Sequence, residues 1–135
     1  MSIVIDWSIY PNFKQSEFTC KCGCGMNRIN KKLLGMLQKA RTRANIPFTI
    51  TSGCRCYTHN SKVSTSHSGD HISDLTNICF GVDISITSPR NRFIIFSALR
   101  REGFNRIGLS EKFIHAGIGK KFGGRGDDDV IWLYD

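Results

Sequence analysis

No apolar run in these 135 residues approaches the ~20 that a bilayer-spanning helix needs, so a membrane span is not expected. The first residues, MSIVIDWSIYPNFKQ, lack the basic stretch and apolar core of a secretory signal. Any target outside the cell would then need another route of delivery. Internal repeats and low-complexity tracts are missing, which argues against solenoids and arrays. Acidic residues are scarce, 11 against 19 Lys and Arg, giving a formal charge of +8. That charge attracts polyanions, anionic cell-wall polymers among them. The basic residues are nevertheless scattered (Lys31 and Lys32, Arg41 and Arg43, Arg90 and Arg92, Arg100 and Arg101, Lys120 and Lys121). Without a basic arm or recognition helix, a nucleic-acid partner is not expected.

What is present suits one soluble globular domain spanning residues 1–135, with 40% hydrophobic and 22% charged residues. Leu33, Leu34, Met36, Leu37 and Ala40 fall at helical spacing between Asn30, a fitting N-cap, and Asn45, with Pro47 as the stop. A second helix is expected over 90–101, where Phe93, Ile94, Phe96, Ala98 and Leu99 supply the apolar stripe after Pro89. Alternating or β-branched stretches predict strands at 48–52, 82–86, 106–109, 113–118 and 130–133. The polar run from Thr58 to Asn77 reads as a loop lining a site, and Gly123 to Asp129 as a mobile hairpin loop. The expected fold is α+β, a small single domain with an antiparallel sheet and helices packed on one face.

Asp83 interrupts the apolar pattern of Val82, Ile84 and Ile86, an expensive place for a carboxylate unless a cation or donors meet it. His115 stands among apolar neighbours in the same way. A histidine, Asp83 and His115 together offer the ligand types of a hydrolytic zinc site, in which the fourth position is left to water. Cys20, Cys22, Cys24, Cys54 and Cys56 form a second group, four of which could hold a structural zinc. Their Cys-x-Cys spacing is tight for zinc, and buried free thiols or a disulfide are the alternatives.

Seven fragments carry a family resemblance: FTCKCGCG at 18–25, TSGCRC at 51–56, His59 and Asn60 with Val63, GVDI at 81–84, GFNRIG at 103–108, FIH at 113–115 and VIWLY at 130–134. In this order and with compatible gaps they resemble the peptidase M15 family, zinc D-alanyl-D-alanine carboxypeptidases and phage-type peptidoglycan peptidases. The resemblance implies one catalytic Zn2+, a D-Ala-D-Ala carboxypeptidase-like or hedgehog-like fold, and a peptidoglycan stem or cross-link peptide as substrate. A monomeric lysis enzyme is implied, held in a host cytoplasm or virion until release. The family pattern Ser-x-His-x-x-Gly-x-Ala-x-Asp sets its histidine seven positions before the aspartate. Here His71 is 12 and His67 is 16 positions before Asp83, so an insertion must intervene. His71 is preferred because it keeps the family's eight-residue gap after Val63. Gly81 stands where alanine is usual, and Gly117, two after His115, stands where aspartate is frequent. That leaves Glu111 as the nearest upstream carboxylate for a general base. Arg55 matches an arginine that meets the substrate's carboxylate or carbonyl, to which a guanidinium fork is suited. The stretched spacing and Gly117 also allow a catalytically impaired module of the same fold that binds wall peptides without cleaving them.

Overall fold

A computed structural model describes residues 4–63, 69–73 and 78–134. Helix α1, Lys31–Ala44, begins where the Asn30 side chain accepts from the Leu33 amide at 2.9 Å. It ends at Asn45, whose left-handed backbone (φ 54°) closes the last turn. Its stripe of Leu33, Leu34, Leu37 and Ala40 is buried, each leucine worth roughly 1.5–3 kcal/mol relative to exposure. Helix α3, Pro89–Arg101, starts on a Ser88 cap with proline in the first turn and buries Ile95, Ala98 and Leu99. The two helices pack on each other and on the sheet.

Helix α2, Tyr57–Val63, overlaps the start of the stretch that reads as a loop. It buries no residue and shows no apolar period, so nothing in the pattern could announce it.

The strands are β1 (Ile50–Ser52), β2 (Gly81–Ser85), β3 (Arg106–Leu109), β4 (Phe113–Gly117) and β5 (Val130–Leu133). Among the described residues they form one sheet in the order β1-β2-β4-β3-β5. Three pairings are antiparallel, as expected, but β5 runs parallel to β3. The sheet is therefore mixed, and the link from β4 to β5 crosses over β3 instead of forming a hairpin. That link is pinned, not loose. Asn105 donates to Asp128 at 2.9 Å and accepts from the Gly119 amide at 2.9 Å, and Arg106 donates to the Asp127 carbonyl at 2.8 Å.

Alternation along the strands sorts the two faces. Val82, Ile84, Ile107, Ile114 and Ala116 join the core beneath α1 and α3. Gly81, Asp83, Arg106, Gly108, His115, Gly117 and Trp132 share the other face by register.

Candidate metal centre

Asp83 and His115 are direct cross-strand partners on β2 and β4, so the ladder itself brings them together. His71 reaches them from the segment before β2. That segment is tied to the chain after β1: the Arg55 amide donates to the His71 carbonyl at 2.6 Å, and the Ser73 amide to the Arg55 carbonyl at 2.7 Å. The Phe80 amide holds the Asp70 carbonyl at 2.7 Å. From the pinned crossover, Arg125 donates to the carbonyls of Gly69, Ile72 (3.0 Å) and Ile78 (2.6 Å).

Three atoms converge. His71 Nε2 lies 3.2 Å from Asp83 Oδ1 and 3.1 Å from His115 Nδ1, and His115 Nδ1 lies 3.1 Å from Asp83 Oδ1. All three side chains are buried. The outer nitrogens fix the tautomers. His71 Nδ1 sits 2.7 Å from the Gly53 carbonyl, which can only accept, so Nδ1 carries the proton and Nε2 turns a lone pair inward. His115 Nε2 donates to Asp70 Oδ2 at 2.8 Å, which leaves its Nδ1 lone pair inward. Two nitrogen lone pairs and a carboxylate oxygen thus point at one place. A tetrahedral zinc with bonds of ~2.0–2.1 Å has ligand–ligand edges of ~3.3 Å. The observed triangle is within a few tenths of an ångström of one such face, and its N2O donor set is of the kind zinc takes.

The charges agree with this. Burial pulls the His115 pKa down, but Asp70 and Asp83 outweigh it and raise it from 6.5 to about 9. Burial pushes Asp83 up, yet His71 and His115 hold it well below the usual carboxylate range. Without a cation, a proton has to stand in between these groups.

Asp70 is the residue that sequence reasoning missed. It is buried, it orients His115, and it receives Arg106 Nε at 3.0 and 3.1 Å. Burial pushes its pKa up, and His115 and Arg106 together bring it below normal. A carboxylate behind a metal-binding histidine fixes the ring and raises its basicity. The two glycines that depart from the family pattern explain its place. A Cβ at Gly81 would stand 2.7 Å from Asp70 Cβ, and one at Gly117 would stand 2.6 Å from Asp70 Oδ2 and 3.0 Å from His115 Nε2. Asp70 fills the room that side chains at 81 and 117 would take.

Arg55 reaches the rim. It donates to Asp83 Oδ2 at 3.5 Å, to Ser52 Oγ at 3.1 Å and to Asn60 Oδ1 at 3.2 Å. Trp132 lies against His115, ring centroids 5.2 Å apart, and Gly108 is the flat spot that admits Trp132 and Tyr134. Glu111 is not brought to the triangle. It is exposed in the turn joining β3 to β4, where its backbone carbonyl accepts from Arg92 at 3.0 Å. The strand between turn and site holds it away. His67, the other candidate for first ligand, lies outside the described residues.

The cysteines divide. Cys54 and Cys79 are joined as a disulfide, which removes Cys54 from the candidate zinc set and, for that residue, selects the disulfide among the alternatives. Cys20, Cys22, Cys24 and Cys56 are unpaired and lie together. No described helix is long and apolar enough to cross a membrane.

No curated protein matches the chain. The Peptidase M15 family model matches residues 11–117, a span that includes all three converging side chains, Asp70, Arg55 and the cysteine group. With most of its length matched, the chain belongs to the peptidase M15 family.

Proposed function

We propose that this peptidase is zinc-dependent and hydrolyses peptidoglycan stem or cross-link peptides, as a D-Ala-D-Ala carboxypeptidase or an endopeptidase of the phage lysis type. The observation that carries the zinc is the buried triangle of His71, Asp83 and His115, with both histidine tautomers fixed from outside. Zinc held there would supply Lewis acidity toward the scissile carbonyl and toward water. The chain's own residues do the rest. Gly53 and Asp70 keep the two imidazole rings aimed. Arg55 has five N–H donors and spends three on Ser52, Asn60 and Asp83, leaving two at the rim for a peptide carboxylate or carbonyl. The basic surface draws the chain to an anionic wall. Action on the wall follows release from a host cytoplasm or virion, as a monomer.

The test is turnover of purified muropeptides by the zinc-loaded chain. Chelator-sensitive release of D-alanine or of split stems is the expected result, abolished in His71→Ala and Asp83→Ala. A second reading, a wall-peptide-binding module without turnover, is favoured by one observation. Among the described residues, the carboxylates at the triangle are Asp70 and Asp83, and both are engaged. Tight muropeptide binding with no product would select it.

A further inference from the structure

We propose that Cys20, Cys22, Cys24 and Cys56 hold a second, structural zinc, separate from the His71, Asp83 and His115 centre. Their sulfurs all lie within 4.8 Å of one another. Cys20 Sγ is 3.5 Å from Cys22 Sγ, and Cys22 Sγ is 3.6 Å from Cys56 Sγ. A zinc–thiolate bond of ~2.3 Å implies tetrahedral sulfur–sulfur edges of ~3.8 Å, whereas a disulfide requires ~2.05 Å. The observed spacings lie near the first value and far from the second.

The backbone is shaped for that convergence. Alternate residues of an extended strand stand ~7 Å apart, too far for Cys20, Cys22 and Cys24 to share one ion. Here the chain turns instead, with Gly23 at φ 91° and Gly25 at φ 80°, and the Cys20 amide closes the turn on the Met26 carbonyl at 2.7 Å. A Cβ at either glycine would meet nothing within 4 Å, so glycine is there for its backbone and not for room. Donors are aimed at the sulfurs as well: Met26 N to Cys24 Sγ, Cys56 N to Cys20 Sγ and His59 N to Cys56 Sγ, each at 3.4 Å. His59 Nδ1 stands 3.2 Å from Cys20 Sγ.

Apolar packing does not explain the conformation of this loop. Residues 21–25 are exposed, and Cys20 alone of the four sulfur residues is buried. An ion would fasten the loop to the start of α2. The position matters for the first centre too. The Phe18 carbonyl accepts from the Cys54 amide at 2.9 Å, and Gly53 abuts the Phe18 backbone so closely that a Cβ would stand 2.5 Å from its Cα. Gly53 in turn holds His71, and Arg55 holds Asp83. The thiolate zinc would buttress the wall on which the first ligand leans.

The test uses the full chain purified under reductant, metal analysis of the parent and of Asp83→Ala/His115→Ala, and cobalt substitution of both. The double variant is expected to keep about one zinc per chain. Its cobalt form should show intense thiolate-to-metal charge-transfer absorption, lost in Cys22→Ser/Cys56→Ser. If the double variant fails to fold, the same absorption read on the cobalt-loaded parent decides, because a histidine and carboxylate centre has no thiolate band. The proposal is overturned if cobalt gives no such band, or if the metal-loaded parent shows these four thiols freely reactive or paired as disulfides. A chain with zinc at the thiols and none at the triangle would sink the proposed peptidase and leave this site standing.

Discussion

Replacing Asp70 with asparagine keeps the side chain's shape and removes its charge, which isolates what the carboxylate does for His115. In the parent, Oδ2 accepts from His115 Nε2 at 2.8 Å, and both oxygens receive Arg106 Nε. The asparagine variant can present one neutral acceptor to either partner. His115 loses the anion that raises its basicity and fixes its ring, and loss of such a partner behind a metal ligand typically costs 10–100-fold in metal affinity or activity. That is about 1.4–2.8 kcal/mol. Competition against a chromogenic chelator measures the zinc affinity directly, and circular dichroism of the metal-free chain checks that the fold survives. An affinity within twofold of the parent, in a folded variant, would refute the positioning role.

The glycines sharpen the same experiment. Gly117→Asp alone should lose zinc affinity, because its Cβ enters the space of Asp70 Oδ2. Combined with Asp70→Gly, the new carboxylate has that space to itself, within reach of His115 Nε2. The double variant should bind zinc more tightly than Asp70→Gly alone. Simple additivity of the two changes would refute the shared-volume argument.

Three further outcomes are expected. Gly81→Ala forces a methyl to 2.7 Å from Asp70 Cβ and His115 Cε1, so denaturant unfolding should show a loss of about 1–3 kcal/mol; an unchanged midpoint would contradict the packing. Glu111→Gln alters an exposed turn and should leave zinc affinity and muropeptide turnover within twofold, whereas a loss of turnover with the fold intact would restore Glu111 as a catalytic residue. In the metal-free chain His115 has its pKa raised to about 9, so its contribution to stability is full below pH 6.5 and is lost as pH rises through 9, while that of the depressed Asp70 and Asp83 is lost on acidification below about 4. Zinc at this centre must displace the His115 proton, so titration calorimetry of the Cys22→Ser/Cys56→Ser variant near pH 7.5 in buffers of differing ionisation enthalpy should report about one proton released, and none released would refute the assignment.

The elements legible in the sequence are those whose stability is written in a period. The stripe of Leu33, Leu34, Leu37 and Ala40 with the cap at Asn30 marks α1, the apolar stripe after Pro89 marks α3, and alternation marks β2, β3 and β4. Helix α2 has no buried face and is held by what surrounds it, so its residues look like loop. The parallel pairing of β5 with β3 was equally hidden, because a four-residue strand with the burial alternation of Val130–Leu133 reads the same in either direction. At the site, Asp83 and His115 stood out as polar residues inside apolar strands. Asp70 did not, because nothing in a polar stretch distinguishes a carboxylate that will be buried from one that faces water. Its trace was indirect, in the two places where the family pattern fails. Gly81 and Gly117 look like losses when each position is read alone, one a missing methyl and the other a missing acid. Taken with the volume of Asp70 they have one physical reason: the acid behind His115 comes from the loop before β2, and a side chain at 81 or 117 would meet it. A carboxylate that orients a histidine has to be sought among its neighbours in space as well as along its strand, and here it stands 2.8 Å from the imidazole it serves.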